Sequence, residues 1–183
     1  MRELRFRLDG VAPKMPDLSL LSGVVHPDIL SAMRIASEKL DELGVRHVLV
    51  GALAVGAWGY PRATKDVDFL VGEEAFEYHE GGIVTLRVPI QVGSVPVDNL
   101  AVPVGAAYLA EAVESPLETG GIPVASVEAV VAMKLASPRA KDGADIVELV
   151  KAGINPDSIS EYLRVNAPVL LPKWGKLLAA WVL

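Results

Sequence analysis

The sequence predicts an α/β fold, a small mixed β-sheet with flanking helices, followed by a helical C-terminal portion. Of the 183 residues, 51% are apolar and 22% are charged, which suits one aliphatic core. Strand and helix patterns alternate up to about residue 125, and only helical spacing follows. We therefore expect a single compact unit made of an N-terminal arm at 1–25, an α/β core at 26–125 and a helical portion at 126–183.

The first elements follow from apolar spacing and from glycine and proline positions. Residues 1–25 contain two prolines and two glycines and suit an extended arm or edge strand with loops. Apolar residues recur at helical spacing over 27–43, where Gly44 can end the helix. A short buried strand at 46–50 precedes a small-residue segment, 51–60, that predicts a tightly packed helix.

The middle of the chain predicts a mixed sheet. Residues 66–71, DVDFLV, are apolar and β-branched enough for a strand despite two acids. Further short strands are expected at 83–88, 89–92 and 95–102, with a short helix at 105–112.

Beyond residue 122 the pattern is helical. Helices are expected at 126–135, 138–151, 156–165 and 170–183. The apolar face of the last helix can cover the core or form a dimer face, and the sequence leaves both open.

Composition excludes several classes of protein. The chain has no cysteine, so any metal site must use oxygen or imidazole ligands, and the three histidines lack metal-ligand spacing. The longest uncharged apolar stretches are too short to span a membrane, and the first residues lack the apolar run of a signal peptide. We therefore expect a cytoplasmic protein that does not bind membranes. The net charge of −6 gives no overall attraction to nucleic acid.

Two aspartates stand on one predicted strand. Asp66 and Asp68 are two residues apart, so both carboxylates project from the same face of the sheet. Such a pair suits a hard cation such as Mg²⁺. The alternative is a strand end with two solvated acids.

The preceding segment favours phosphate chemistry. Gly51, at a strand-to-helix junction, allows the backbone to approach a phosphate, and the helix supplies N–H donors. Arg62 and Lys65 can neutralise phosphate oxygens, and Thr64 can donate a hydrogen bond or shape the turn. The alternative is that the glycines only permit close packing of helix and sheet.

At this point the sequence resembles a known family. Residues 50–71, VGALAVGAWGYPRATKDVDFLV, are similar to the nucleotidyltransferase superfamily with the DNA-polymerase-β-type fold, in the minimal bacterial and archaeal branch that includes AbiE-type toxin nucleotidyltransferases. The matching positions are Gly51, Ala54, Gly59, Arg62, Thr64, Asp66 and Asp68. A later segment resembles the helical part of that branch, at Lys134, Arg139, Lys141, Asp142 and Asp145. The resemblance spans about residues 45–150.

The resemblance implies transfer of a nucleoside monophosphate from a nucleoside triphosphate to a hydroxyl of RNA, a protein or a small molecule. It implies Mg²⁺ or Mn²⁺ as the cofactor, bound by Asp66, Asp68 and a third carboxylate that also helps to activate the acceptor. Asp98 is the best candidate for that third position, since its apolar neighbours indicate a strand. The alternative is that Asp98 lies in an ordinary turn.

One position departs from the family pattern. The family has a second Gly or a Ser where this chain has Ala52, which can offer a phosphate only its backbone N–H. The second hypothesis is therefore a catalytically weak or inactive binding module, such as a toxin–antitoxin component, with a homodimer or a cognate protein as the possible assembly.

Lys134 stands on the apolar face of its predicted helix. Its ammonium either reaches the surface or points at a buried anion, and the resemblance favours a phosphate or the acidic cluster. Lys141 and Asp145 are four residues apart and can form a helix-surface pair. For Arg139, Lys141 and Asp142, structural support and substrate contact stay open.

Overall fold

The protein is described by a computed structural model that covers residues 14–181. Eight strands are present in this part of the chain: β1 (His47–Leu49), β2 (Val67–Val71), β3 (Phe76–Tyr78), β4 (Val84–Leu86), β5 (Gln91–Val92), β6 (Val95–Ala101), β7 (Leu117–Thr119) and β8 (Ile122–Val124). Six of them form one sheet in the order β5-β6-β2-β1-β8-β7, and β3 and β4 pair separately. The sheet is mixed, because β2 pairs in parallel with β6 but antiparallel with β1. The predicted fold class is confirmed.

Seven α-helices flank or follow the sheet in the described range: α1 (Pro27–Glu42), α2 (Gly51–Ala57), α3 (Ala107–Glu114), α4 (Val127–Ala136), α5 (Ala140–Lys151), α6 (Pro156–Asn166) and α7 (Leu171–Trp181). Local chemistry sets their ends. Pro27 and Pro156 occupy the first turns of α1 and α6, where the missing N–H costs nothing. Ser126 caps α4 by accepting a hydrogen bond from the Ala129 N–H. None of these helices is long and apolar enough to cross a bilayer.

The two faces of the sheet have different surroundings. His47 and Phe69 lie on the face covered by α1, and the His47 ring contacts both the Ser37 hydroxyl of α1 and the edge of the Phe69 ring. Side chains alternate along a strand, so Asp68 and Leu100 lie on the opposite face. There they share a cleft with α4. The charged cleft and α1 are thus separated by the sheet.

Two expectations need correction. Residues 14–25 are not an extended arm or edge strand, because Leu18–Leu21 is a 3₁₀ helix whose two end leucines are buried in the core. The remainder of the predicted arm, 1–13, lies outside the described residues. The sequence also predicts no strand between the short helix at 105–112 and the helical pattern beyond residue 122, whereas β7 and β8 form a hairpin there. Its two-residue loop is Gly120-Gly121, and both glycines have positive φ.

The hairpin matters for the core. β8 pairs in parallel with β1, through Leu49 and Val124, and so completes the central part of the sheet. The following helix α4 is apolar on most of its surface and almost fully buried. Lys134 is therefore a buried residue on a core helix, which makes its partners important.

Candidate active site

Asp68 and Asp98 lie side by side on neighbouring parallel strands. Asp68 of β2 is the register partner of Asp98 of β6. Register partners on adjacent strands project from the same face, with backbones about 4.8 Å apart. Asp68 is half-buried and Asp98 is exposed, so the pair spans the boundary between core and solvent. Asp98 is on a strand, and the turn alternative is wrong.

Asp66 precedes β2 and is held by the turn before it. The Thr64 hydroxyl donates to Asp66 Oδ1 over 2.6 Å. Thr64 thus orients an aspartate, one of the two roles open to it from the sequence. Lys65 of the same turn is exposed.

Gly51 is required by the Asp68 carboxylate. The residue has φ +65°, and a Cβ added to it would lie 1.9 Å from Asp68 Oδ2. No side chain fits there, and the backbone conformation itself favours glycine. The Asp68 carboxylate therefore packs directly over the junction between β1 and α2. This contact is a specific reason for the glycine, beyond general packing of helix and sheet.

The Asp68 carboxyl group has a raised pKa. Burial is the main cause, and the charges of Asp66 and Asp98 add to it, so that the pKa rises to about 6. Lys134 and Arg139 act in the opposite direction. The Asp68 carboxyl group thus lies in surroundings that disfavour its charged form, first through burial and second through the neighbouring charges of Asp66 and Asp98.

A different cluster, which we call the buried ion network, joins Arg62, Lys134, Arg139, Asp142 and Asp145. The Lys134 ammonium donates to Asp142 Oδ1 over 2.5 Å and to Asp145 Oδ2 over 2.7 Å. Arg62 binds both Asp145 oxygens at 2.9 Å, and Arg139 Nε donates to Asp142 Oδ2 at 2.7 Å. The network ties the loop before β2 to α4 and α5.

Hydrogen bonds decide the charge state of the two network acids. Burial raises the pKa of Asp142, but hydrogen bonds from Lys134, Ser137 and Arg139 outweigh it and hold that pKa at about 2. The pKa of Asp145 is lowered in the same way, against its burial, by its two cationic partners. Both acids are therefore ionised at ordinary pH.

The network answers the alternatives left by the sequence. Lys134 points at buried anions, and these are the carboxylates of α5. The surface pair that the spacing of Lys141 and Asp145 allows is not formed, because Asp145 is buried and bound to Arg62 and Lys134. Lys141 is exposed.

That Asp145 is part of a buried ion network was not predicted from the sequence. The residue follows Asp142 by three positions on α5, next to the buried Ile146 and Leu149. Two acids on the apolar face of one helix require cationic partners when they are buried. The spacing of Asp142 and Asp145 could therefore have predicted a buried ion pair.

A small cleft connects the acidic edge with the network. It encloses about 100 Å³ and is lined by Gly51, Asp68, Lys134, Ser137 and Arg139, among others. This volume suits one phosphate-sized group more than a whole nucleotide, since pockets for drug-sized ligands measure roughly 300–1,000 Å³. Ala52, in the first turn of α2, is buried and adds no polar side chain.

The donor set of the acidic edge suits Mg²⁺, which prefers oxygen ligands. Within residues 14–181, no group of three acidic or histidine side chains is placed to hold one metal ion. Mg²⁺ is commonly held by one or two carboxylates together with substrate phosphates, and the register pair Asp68 and Asp98 matches that number of protein ligands. The participation of Asp66 stays a prediction.

The fold and the cleft together define an α/β protein with an acidic edge on a mixed sheet. Comparisons with known proteins add one structural likeness. No protein-family model and no curated protein matches the chain. Among solved structures, it is similar to the crystal structure of an antigenic nucleotidyltransferase-like protein from Paracoccidioides brasiliensis, with 18% identity and a TM-score of 0.45. The match covers 70% of this chain and 77% of that one.

Proposed function

We propose that the chain is a metal-dependent nucleotidyltransferase of the superfamily it resembles, which transfers a nucleoside monophosphate from a nucleoside triphosphate to a hydroxyl group. The observation that carries the proposal is the pairing of Asp68 with Asp98 beside Gly51, with the pKa of Asp68 raised to about 6. Acids held together against their own repulsion are typical of functional sites.

Asp68 and Asp98, with Asp66 beside them, are the residues that would hold Mg²⁺ or Mn²⁺. The ion supplies neutralisation of charge on the phosphate oxygens and on the acceptor oxygen. Its positive charge would also return the pKa of Asp68 towards the ordinary range.

The remaining roles follow from position. In the transfer, the acceptor oxygen bonds to the α-phosphorus, the bond to the bridging oxygen breaks, and pyrophosphate leaves. Asp98 is exposed at the acidic edge, so its carboxylate can take the proton of the acceptor hydroxyl. Lys134 and Arg139 line the cleft and stabilise negative charge there. Because Arg62 and Lys134 are already bound to carboxylates, the main role of the network is to position the residues that line the cleft.

Label transfer tests the proposal. Purified protein is incubated with each α-labelled nucleoside triphosphate, Mg²⁺ or Mn²⁺, and candidate acceptors. We expect transfer by the wild type and by Asp41→Asn, an exposed aspartate on α1 across the sheet. Asp68→Asn should lose at least about a hundredfold in rate, as removal of a key electrostatic group does. Unchanged transfer by Asp68→Asn would reject the proposed chemistry.

The second candidate is a nucleotide-binding module with weak or no turnover. Two observations favour it: Ala52 has no side-chain hydroxyl, and Arg62 is engaged by Asp145. Calorimetry separates the two functions. Nucleotide binding that yields no pyrophosphate with any acceptor indicates the binding module, whereas pyrophosphate release indicates the enzyme.

A further inference from the structure

A second cavity adjoins the acidic cleft. It measures about 360 Å³ and lies between α7 and the segment that joins α4 to α5. Its lining includes Ser137, Arg139, Lys173, Lys176 and Leu177, and we call it the α7 groove. Ser137 and Arg139 also line the acidic cleft, so one wall separates the two spaces. A molecule in the α7 groove therefore lies next to the reaction centre of the proposed function.

The charge of the groove opposes that of the whole protein. The side chains that line it include three cations, Arg139, Lys173 and Lys176, and no acid. Asp142 lies in the same segment as Arg139, but it is buried and is bound to Arg139 and Lys134. The whole chain, in contrast, has 23 acidic residues and a net charge of −6. A local cationic surface of this kind attracts anions although the protein as a whole repels them.

The cations of the groove are not equivalent. The Lys173 ammonium donates to the Leu135 carbonyl at 2.5 Å and to the Ser137 carbonyl at 2.7 Å, which fixes the shared wall. Lys176, one helical turn further along α7, is exposed. Arg139 uses its Nε for Asp142, while 61% of its side chain is exposed. Lys176 and the outer guanidinium nitrogens of Arg139 are thus placed to meet an anion from solvent.

Apolar side chains complete the groove. Leu177 and Ala180 of α7 lie beside the lysines, and Pro138 and Ala140 form the other side. Cations next to apolar walls suit an organic molecule that carries phosphate better than they suit a bare ion.

We propose that the α7 groove binds a phosphate group carried by the acceptor, so that the acceptor hydroxyl reaches the acidic cleft across the shared wall. The inference rests on the proposed function and adds to it the acceptor class: a phosphate-bearing hydroxyl compound. Lys176 and Arg139 bind the phosphate, and Lys173 positions the wall.

The test compares two exposed lysines. Lys176→Glu changes the groove, and Lys39→Glu makes the same charge change on α1, on the other face of the sheet. Binding is measured by fluorescence anisotropy with a short labelled oligoribonucleotide, and by competition with ribose 5-phosphate. We expect Lys176→Glu to bind about tenfold more weakly, and the salt dependence to fall by about one ion, as for loss of one phosphate contact.

The outcomes decide between sources of the phosphate. Tight oligoribonucleotide binding that depends on Lys176 and is not displaced by ribose 5-phosphate supports a nucleic-acid acceptor. Binding that depends on Lys176 and is displaced by ribose 5-phosphate supports a small phosphorylated acceptor. No binding of either probe, or equal effects of Lys176→Glu and Lys39→Glu, overturns the inference.

Nucleotide binding is measured separately with Mg²⁺-ATP and Mg²⁺-GTP in the same variants. If neither nucleotide binds while the α7 groove still binds a phosphate probe, the proposed function is rejected, and the groove is still a phosphate-binding site. If they bind and Lys176 has no effect on the acceptor probes, only the groove assignment fails.

Discussion

The acidic edge and the buried ion network treat their aspartates in opposite ways. In the network, Asp142 and Asp145 are fully buried, yet each is bound by two cationic side chains and has a lowered pKa. At the edge, Asp68 keeps more solvent-exposed surface, and its pKa is raised, first by burial and then by the charges of two further acids. Burial raises the pKa in both regions, and it is outweighed only where cationic side chains donate hydrogen bonds to the carboxylate.

The difference indicates that the network is a structural framework, whereas the acidic edge is the region of the proposed chemistry. A balanced network holds α4, α5 and the loop before β2 in one arrangement and, apart from the exposed outer nitrogens of Arg139, has little capacity left for a ligand. At the acidic edge, the nearby acids disfavour the charged form of Asp68, and a bound cation, as proposed, would offset this repulsion. Four experiments test this difference between the acidic edge and the network.

Removal of the network lysine should give the largest effect. Lys134→Met leaves Asp142 and Asp145 short of a buried cation, so we expect the free energy of unfolding to fall by about 3–5 kcal/mol. Urea denaturation followed by circular dichroism measures it. Lys141→Met, on an exposed lysine of α5, should stay within about 0.5 kcal/mol of the wild type. Equal stabilities of the two variants would show that the network is not a framework.

Gly51→Ala should be next in size. The added Cβ collides with the Asp68 carboxylate and forces a positive φ on alanine, so we expect a loss of about 2–3 kcal/mol in denaturation experiments. In an Asp68→Ala background the contacts with the carboxyl group, at 1.9 and 2.6 Å, disappear, whereas the 2.8 Å approach to the Cβ of residue 68 and the backbone cost remain. The loss should therefore be smaller by at least about 1 kcal/mol.

Gly143→Ala is the matched control for that substitution. Gly143 is helical, and a Cβ there meets no atom within 4 Å. Because alanine is the better helix former, this variant should be more stable by about 0.5–1 kcal/mol. If the effects of Gly51→Ala and Asp68→Ala on the free energy of unfolding were simply additive, the close contact between the two residues would be contradicted.

Asp68→Asn should stabilise the protein at neutral pH. The folded-state pKa of Asp68, about 6, exceeds the ordinary value of 3.8, so the native state binds more protons than the unfolded state between these values. The free energy of unfolding of the wild type therefore falls as pH rises through this window.

The asparagine variant lacks this loss. It should be more stable than the wild type by about 1–2 kcal/mol above pH 6. The difference should vanish only well below the ordinary pKa of 3.8, at about pH 3 and lower, because Asp68 is then largely protonated in both states. Thermal melts at several pH values measure it, and a stabilisation independent of pH would contradict the raised pKa.

Added Mg²⁺ should give the smallest shift. An ion that binds only the native state stabilises it by about 1.4 kcal/mol at tenfold its Kd. We expect a higher melting temperature for the wild type, no shift for Asp98→Asn, and an undiminished shift for Asp41→Asn. The same shift in all three proteins would place the ion elsewhere.

Much of the fold could be predicted from local patterns. The helices α1, α4 and α6 carry apolar spacing together with a proline or a serine cap, and β2 and β6 are apolar enough to predict strands despite their acids. The hairpin of β7 and β8 was missed because three-residue strands show no period, although Gly120-Gly121 is a recognised hairpin loop.

The site was harder to predict, because its contacts join distant parts of the chain. Arg62 and Asp145 are 83 residues apart, and only the packed fold brings them together. The register of Asp68 with Asp98 depends on parallel pairing of β2 and β6, which no local signal specifies. The sequence therefore predicted which residues belong to the site, but it did not predict which of their side chains contact each other.

The most direct test of the acidic edge is a crystal grown with Mn²⁺ and a non-hydrolysable nucleoside triphosphate analogue. We predict an anomalous difference peak in contact with both the Asp68 and Asp98 carboxylates, beside Gly51. Full Mn²⁺ occupancy at other residues, with Asp68 and Asp98 facing apart, would contradict it.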